Sequence, residues 1–321
     1  MDSKILASIE GKKRTLDQFR PLPPALIEKL RDEFALEWTF NTNALEGNTL
    51  SLQETDLVIN RGVTIGGKSL KEHFEAINHI GAVKYLYRFS AKKEAFSEEF
   101  ILRLHKFILT NIDDASAGSY RHHNVRILGS YHLPPNAQKI GKLMREFVDW
   151  YYLNDKSLSV AELSAQVHYR LVHIHPFLDG NGRTARLLMN LVLIQNGYPP
   201  AVIMNLDRKK YYRVLKEADL GKAEPFENFI GKSIERSLVI YLNTIVPPQN
   251  RKKEKQGYIS LQEATKYCEY SQEYLSLLAR TGKLAAVKFG RNWMTTPEAV
   301  REYLGEHQNS KSPGTRSKIK S

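Results

Sequence analysis

The chain has 321 residues, of which 42% are hydrophobic, and it carries a net charge of +12. Such a length predicts about two domains. The single cysteine, Cys268, excludes an intrachain disulfide and a cysteine-based zinc site. A chain with one cysteine suits a reducing compartment. Because no run of 18 apolar residues occurs and residues 1–20 lack an apolar segment, we expect no transmembrane helix, no secretory signal, no membrane partner and a cytoplasmic location.

A short β-hairpin is predicted from the residue pattern at residues 124–135. Val125 and Ile127 alternate with polar neighbours, and Gly129-Ser130 favours a turn. The hairpin interrupts a chain whose pattern is otherwise helical.

Two helices are predicted on either side of the loop that follows His175. The apolar residues of segment 160–174 recur at helical spacing, and Pro176 disfavours helical geometry at His175, so the first helix ends there. A second helix is predicted from about Arg183 to Asn196, before the stop signals at residues 197–199. The loop therefore leads into a helix N-terminus, whose unpaired N–H groups and partial positive charge suit an anion.

Residues 175–186 carry the groups needed to hold a nucleotide with Mg²⁺ and to activate a nucleophile. His175 can accept a proton near neutral pH, and Asp179 is a hard oxygen ligand suited to Mg²⁺. The remaining groups suit phosphates by close backbone approach, amide donation or charge: Gly180, Gly182, Asn181, Arg183 and Arg186. The two arginines are three residues apart and share a helix face.

Two other interpretations of this segment explain it less well. A polar interhelix loop with a structural histidine would not need the whole set of groups. A zinc site made of His168, His173, His175 and Asp179 conflicts with the i, i+5 spacing of the first two, which lie on different helix faces, unlike an H-E-x-x-H site. The chain also has no Walker P-loop sequence.

A second domain is predicted after a linker. Residues 246–256 are Pro-led, polar and charged, which is typical of a linker. In the compact segment 257–305, Ser260 and Glu263 predict a capping box, residues 272–280 a second helix, and residues 285–295 alternate as strands. Residues 306–321 are predicted to be disordered.

The C-terminal quarter is also the most basic part of the chain. Residues 251–321 contain 14 lysines and arginines against seven acidic residues, a net charge of +7 out of the total of +12. Such a segment indicates either an anionic partner or a solvated tail.

The stretch His-Pro-Phe-Leu-Asp-Gly-Asn-Gly-Arg-Thr-Ala-Arg at 175–186 resembles the Fic (filamentation induced by cAMP) family, whose motif reads H-P-F-x-[D/E]-G-N-G-R-x-x-R. The resemblance runs from about residue 25 to 243 and includes Gly118-Ser119-Tyr120-Arg121, Gly197-Tyr198-Pro199-Pro200 and Tyr211-Tyr212. It implies an N-terminal helical region at residues 1–110 and an all-α catalytic core at residues 111–245. The core would carry a short β-hairpin, the flap. It also implies transfer of AMP from ATP to a Ser, Thr or Tyr hydroxyl of a target protein, with pyrophosphate as the leaving group.

The resemblance assigns roles to individual residues of this chain. It makes His175 the general base and Asp179 the Mg²⁺ ligand. Nucleotide contacts are implied for Asp179, Gly180, Asn181, Gly182, Arg183, Thr184, Ala185, Arg186, Tyr211, Tyr212 and Asp219. The flap residues Ile127, Leu128, Gly129, Ser130 and Tyr131 would pair with the backbone of the target as an added strand. Dimerisation through the core is also implied.

Thr42-Asn43-Ala44-Leu45-Glu46-Gly47 fits the family's inhibitory pattern [ST]-x-x-x-E-[GN], on a helix of about residues 24–46. A glutamate paired with Arg186 would keep that arginine from the γ-phosphate, and ATP would then bind with its α-phosphate misplaced for in-line attack. From the residues alone, Glu46 is better explained as a solvated carboxylate at a helix end, followed by a glycine cap. In some relatives the same glutamate serves the removal of AMP.

The segment 257–305 resembles the winged helix-turn-helix of excisionases and of the MerR type, which implies that helix 272–280 enters the major groove. That helix contains one basic residue, so it is a weak reader of bases, whereas Lys283, Lys288 and Arg291 are placed to meet phosphates. DNA and a docked protein both remain open as partners of this segment.

The leading interpretation is thus a self-inhibited protein adenylyltransferase that uses ATP and Mg²⁺. One alternative is an enzyme that catalyses a different reaction, either an AMP-removing hydrolase or a Doc-like kinase. Doc-type enzymes depart from the motif at the second glycine, where this chain keeps Gly182. The other alternative is a DNA-bound regulator whose core senses a nucleotide.

Overall fold

A computed structural model describes residues 1–92, 94–127, 132–245, 259–281, 283–289 and 292–308. The chain forms two compact units, Met1–Leu238 and Val239–Ser321. Across these described ranges, no helix combines the length and the apolar character that crossing a membrane requires.

The described regular structure of the first unit is helical, as predicted. Its α-helices are α1 (Ser3–Gln18), α2 (Pro24–Leu45), α3 (Leu52–Arg61), α4 (Leu70–Lys92), α5 (Glu98–Leu109), α6 (Ile140–Asn154), α7 (Val160–Ile174), α8 (Asn181–Gln195), α9 (Arg208–Asp219) and α10 (Glu224–Ile245). The last of these extends past the end of the unit. Short 3₁₀ turns at Ala137–Lys139 and Asn205–Asp207 precede α6 and α9.

Helix α8 lies at the centre of this unit. It packs against α7, α4, α5 and α2. Its residues from Leu187 to Leu193 are buried without exception, as expected for a helix that is apolar on all sides. Because α8 is held by helices all round, its first turn and the loop before it have a fixed position.

The predicted helix that begins at Val160 is present as α7. The hydroxyl of Ser159 accepts a hydrogen bond from the backbone of Glu162 at its start, and His175 ends it in the left-handed conformation, with φ of 51°. The predicted start of the next helix was wrong by two residues, because α8 begins at Asn181 and not at Arg183. The side chain of Asn181 bonds both backbone groups of Phe177, which brings Asn181 into the first helical turn.

Helix α2 corresponds to the predicted inhibitory helix of about residues 24–46. It begins with Pro24, at the position where a missing N–H costs nothing, and Glu46 is its C-terminal capping residue. Gly47 follows with φ of 101°, a conformation that glycine adopts readily.

The predicted hairpin is described only in part. Residues 124–127 and 132–135 carry no strand in the structure, and Leu128, Gly129, Ser130 and Tyr131 lie outside the described residues. Ile127 is half-buried. The predicted linker, residues 246–256, also lies outside the described residues.

The described part of the second unit has a three-stranded antiparallel sheet in the order β1-β3-β2. Its elements are β1 (Ile259–Ser260), α11 (Leu261–Ala264), α12 (Gln272–Arg280), β2 (Ala286–Phe289), β3 (Asn292–Thr295) and α13 (Pro297–Gln308). The sheet register pairs Ala286 with Thr295, and Thr295 also pairs with Ile259. Leu261, Leu275, Leu278, Leu284 and Val300 form its core.

Several predictions for this unit are confirmed at the level of elements. The capping box of Ser260 and Glu263 is present, α12 has the predicted bounds, and β2 and β3 lie within the predicted strand region. The prediction of disorder from residue 306 was wrong for residues 306–308, which belong to α13. Residues 309–321 lie outside the described residues.

Candidate nucleotide site

The site is built on the loop between α7 and α8. Phe177 is fully buried and stacks on His105 of α5, with ring centroids 3.6 Å apart and planes 5° apart. Nε2 of His105 lies 3.0 Å from the carbonyl oxygen of Asp179, and the backbone N–H of Gly118 donates to Nδ1. Since Nδ1 accepts, Nε2 carries the proton and donates. Burial lowers the pKa of His105 to about 4, which keeps the ring neutral and this pair of bonds intact.

Gly180 occupies a place that a larger residue would not fit well. Its φ is 77°, and an added Cβ would lie 3.2 Å from Cγ2 of Ile108 and 3.3 Å from the His105 ring. The loop therefore turns sharply into α8 against α5. Gly180 is the N-terminal capping residue of α8, and its backbone N–H donates to the side chain of Asp179.

Asp179 and Arg183 form the entrance to the site. The carboxylate of Asp179 accepts from the backbone N–H of Gly180 at 2.6 Å and from Nη2 of Arg183 at 3.2 Å, while its side chain remains 53% exposed. Burial opposes ionisation, but the positive charge of Arg183 and the Gly180 N–H hold the pKa of Asp179 below its ordinary value. The group is therefore an ionised, accessible oxygen ligand at neutral pH.

The guanidinium of Arg183 is buried but incompletely bonded. Its exposed fraction is 2%, and Nη1 lies 3.6 Å from Oε1 of Glu75, too far for a hydrogen bond. Among the described residues, Nε and Nη1 of Arg183 have no hydrogen-bond partner. Buried donors without partners are costly, so this arginine has capacity for a further anionic ligand.

Each of the three guanidinium nitrogens of Arg186, one turn further along α8, has a hydrogen-bond partner. Nη2 donates to Oε1 of Glu46 at 2.6 Å and to the carbonyl oxygen of Thr42 at 3.3 Å, and Nε donates to Oγ1 of Thr42 at 2.6 Å. Nη1 lies 3.4 Å from the hydroxyl of Tyr211. The C-terminal end of α2 thus supplies most of the acceptors for this buried guanidinium.

Gly182 makes room for this arrangement. An added Cβ at Gly182 would overlap the Glu46 carboxylate and lie 3.0 Å from Nη1 of Arg186. The second glycine of the motif therefore faces the ion pair as well as the first turn of α8.

His175 lies at the junction of α7 and the loop. Burial lowers its pKa to about 4, so the imidazole is neutral at pH 7 and can accept a proton. Its backbone is fixed by Arg121, whose Nε donates to the His175 carbonyl at 2.8 Å and whose N–H donates to the carbonyl of Pro176 at 2.9 Å.

Arg121 also bonds the backbone on both sides of the predicted flap. Nη1 donates to the carbonyl of His123 at 2.9 Å and Nη2 to the carbonyl of Pro135 at 2.6 Å. Its side chain is buried, yet the partners are neutral carbonyls. The sequence placed Arg121 within a family motif, but nothing in the spacing indicated a role for it or for His105.

Three nucleotide contacts expected from the resemblance have other partners in the structure. Tyr211 is 1% exposed and its hydroxyl lies 3.0 Å from Nε2 of His168, behind Arg186. Tyr212 is 40% exposed and donates to the carbonyl of Leu45 at 3.3 Å. Asp219 accepts from Nδ1 of His173 at 3.1 Å.

The side chain of Asn181 has partners within the loop. Its Oδ1 accepts from the N–H of Phe177 at 3.0 Å and its Nδ2 donates to the carbonyl of Phe177 at 2.9 Å. The amide is buried, and one of its two N–H groups is used within the loop. The inner residues Thr184 and Ala185 are also fully buried.

Comparisons with known proteins agree with this geometry. The Fic/DOC family matches residues 95–193. A Fic domain containing signaling protein from Bacteroides thetaiotaomicron superposes with a TM-score of 0.69 at 32% identity, over 74% of this chain and 96% of that protein. The chain belongs to the Fic family.

Two further Fic proteins match most of the chain. Fic-1 from C. elegans has a TM-score of 0.66 at 34% identity, over 75% of this chain and 71% of that structure. A protein adenylyltransferase Fic from Drosophila willistoni is 37% identical over 245 residues, which is 75% of this chain. The chain spans about half the length, 48%, of that curated relative.

Proposed function

We propose that this Fic protein transfers AMP from ATP to a hydroxyl group of a target protein. The observation that carries the proposal is the pairing of a neutral, half-buried His175 with an anion site at the start of α8, where buried Arg183 has donors without partners among the described residues. A relative that is named a protein adenylyltransferase and is 37% identical to this chain supports the same reaction.

The reaction assigns one task to each part of the site. The target hydroxyl oxygen attacks the α-phosphorus of ATP, its proton passes to His175, and the bond to the β-phosphate oxygen breaks to release pyrophosphate. The first turn of α8 and Arg183 would stabilise the phosphates. Since Asp179 is ionised and half-exposed, it fits a Mg²⁺ ion held by one carboxylate, and that ion would neutralise phosphate charge.

We further propose that Glu46 inhibits this reaction in the resting protein. The arginine that would meet the γ-phosphate is bonded to Glu46 at 2.6 Å. ATP bound without that contact would sit with its α-phosphate displaced, and a displacement of about 1 Å can lower the rate on the order of 100-fold. Release of Glu46 would therefore switch the protein on.

The test is transfer of label from α-³²P-ATP with Mg²⁺ to the protein itself and to a lysate. Strong labelling by Glu46→Gly, weak labelling by the unmodified chain and none by Glu46→Gly with His175→Ala is expected. Glu33→Ala, which changes an exposed glutamate of the same helix, is the matched control and should behave as the unmodified chain.

Each alternative reaction predicts a different outcome of this experiment. Transfer of γ-label without α-label would mean a kinase. Loss of AMP from a labelled target, dependent on Glu46, would mean a hydrolase. No α-label with intact ATP binding in all variants would exclude the proposed transfer and favour a nucleotide-sensing regulator.

We propose the remaining partners separately. Residues 124–135 would dock the target as a flap, and two copies of the chain would associate through the core, which light scattering would reveal as twice the monomer mass.

DNA is a further candidate partner. The exposed residues of α12 carry one acid and one base, so recognition of DNA would depend on phosphate contacts; they are Gln272, Glu273, Tyr274 and Arg280. A DNA mobility shift that needs residues 251–321 and falls steeply with salt would support DNA binding, and no shift at low salt would exclude it.

A further inference from the structure

A group of two imidazoles and a carboxylate lies next to the candidate site, and it includes Asp219, for which the family resemblance implies a nucleotide contact. Its members come from three places in the chain. His132 follows residues 128–131, His173 is in the last turn of α7, and Asp219 is the last residue of α9. Nδ1 of His173 lies 3.1 Å from Oδ1 of Asp219, and Nδ1 of His132 lies 4.0 Å from the same oxygen. We propose that these three side chains bind one divalent transition-metal ion of the zinc class.

The spacing of the three ligand atoms suits such an ion. They all lie within 4.8 Å of one another. Tetrahedral zinc with bonds of about 2.0–2.1 Å needs ligand atoms about 3.3 Å apart. Nδ1 of His173 and Oδ1 of Asp219 already have about that separation, and an ion there would replace the proton that Nδ1 donates to the carboxylate. A shift of about 0.7 Å would bring Nδ1 of His132 to the same distance from Oδ1 of Asp219.

The hydrogen bonds around the group orient its ligands. Nε2 of His132 lies 2.7 Å from the carbonyl oxygen of His173, which can only accept, so Nε2 carries the proton. In the neutral ring Nδ1 then has the lone pair, and Nδ1 is the atom that faces Asp219. Donation from the second ring nitrogen to a carbonyl is the usual support of a metal-binding histidine. The hydroxyl of Tyr169 donates to Oδ1 of Asp219 at 3.3 Å and steadies the carboxylate.

The chemistry of the ligands selects the class of ion. Two imidazole nitrogens with one carboxylate favour Zn²⁺, Co²⁺, Ni²⁺ or Cu²⁺ over Mg²⁺, which prefers oxygen ligands. The side chains of His132 and Asp219 are 11% and 18% exposed, while that of His173 is 42% exposed. The group is thus open on one side, where an ion can enter and a water molecule can complete its coordination.

Occupancy would link separate parts of the first unit. His132 follows residues 128–131 directly. An ion shared with His173 and Asp219 would therefore connect the end of the predicted flap to α7 and α9. Backbone amides of the described flap residues should then exchange their hydrogens more slowly. This consequence does not depend on the transfer activity proposed above.

Binding is tested with the full chain, stripped of metal, by titration of Zn²⁺ against a competing chromophoric chelator. We expect one Zn²⁺ per chain, with affinity weakened at least about tenfold by His132→Asn, His173→Asn or Asp219→Asn. His173→Asn changes a half-exposed side chain and should fold, which circular dichroism would check. The matched controls are His122→Asn, which alters an exposed histidine before the predicted flap, and Cys268→Ser. Both should bind Zn²⁺ as the unmodified chain does.

Two further readouts identify the ligands and the consequence. Co²⁺ in place of Zn²⁺ should give visible absorption typical of four or five nitrogen and oxygen ligands, lost in His173→Asn. Hydrogen exchange at residues 124–136 should slow on addition of Zn²⁺ in the unmodified chain but not in His173→Asn. Absence of a 1:1 complex, or an unchanged affinity in all three ligand variants, would overturn the proposal.

Discussion

Arg186 depends on acceptors from α2, and the most important of them is the Glu46 carboxylate. In Glu46→Gly the buried guanidinium loses its counter-charge but keeps Thr42. Because Glu46 is 30% exposed, we expect a loss of stability of about 1–3 kcal/mol, below that of a fully buried pair. ATP with Mg²⁺ should then raise the melting temperature more in Glu46→Gly than in the unmodified chain, since the γ-phosphate replaces the carboxylate.

The measurement is thermal unfolding with and without the nucleotide. Glu33→Ala should show the ATP response of the unmodified chain. Equal responses in Glu46→Gly and the unmodified chain would mean that Arg186 does not meet the nucleotide.

His175 gives a prediction about pH. Burial holds its pKa at about 4, below the ordinary value of 6.5, so the neutral form that accepts a proton is present above about pH 4 and is lost only as the pH falls through that value. In Glu46→Gly, kcat/KM for AMP transfer, which reports the free enzyme, should therefore show no protonation step of His175 between pH 5.5 and 8. Histidine NMR of the same variant, with His175→Ala to assign the signal, provides the direct check. A step near pH 6.5 that coincides with the His175 signal would contradict the half-buried, neutral base.

At the scale of elements, Arg121 connects the predicted flap to the loop between α7 and α8. Its three side-chain nitrogens reach the carbonyls of His123, Pro135 and His175, a fork that the single ammonium of lysine cannot reproduce. Arg121→Lys in the Glu46→Gly background should lower kcat for target modification by about 10- to 100-fold, because His175 and the flap shift relative to each other. The Kd for ATP should change by less than about threefold, since Arg121 does not face the first turn of α8.

Arg126→Lys, in the exposed part of the predicted flap, is the control and should leave kcat unchanged. Unchanged kcat in Arg121→Lys would show that the flap does not need this connection. Weakened ATP binding with unchanged kcat would place Arg121 in the nucleotide site instead.

The elements also show how far the sequence predicts this molecule. Helices α7 and α12 are predictable because each has an apolar stripe and a serine cap. The start of α8 is not, because the left-handed Gly180 and the Asn181 bonds to Phe177 are tertiary features of the loop. The two-residue strand β1 is too short to show alternation, and α13 falls in a segment judged by its polar composition.

In the site, a motif predicts which residues come together but not their partners. The position of Glu46 against Arg186 follows the predicted pattern. The burial of Tyr211 behind Arg186 and the grouping of Asp219 with two histidines depend on how α7 and α9 pack, which no local pattern encodes.

For the whole molecule, four histidines with lowered pKa values make stability depend on pH. Burial lowers the pKa of His105 and His175 to about 4 and that of His79 and His168 well below 6.5. The unfolded chain binds protons at these residues near pH 6.5 while the folded chain does not, so their contribution is complete above that value and is lost as the pH falls. Each costs the folded chain on the order of 1 kcal/mol of stability between pH 7.5 and 5.5, so the four together cost several kcal/mol. Urea unfolding of the first unit at these two pH values measures the difference, and His168→Gln, which removes one of the four, should reduce it by about a quarter. A difference below about 1 kcal/mol would mean that the histidines are protonated in the folded state or that water reaches them.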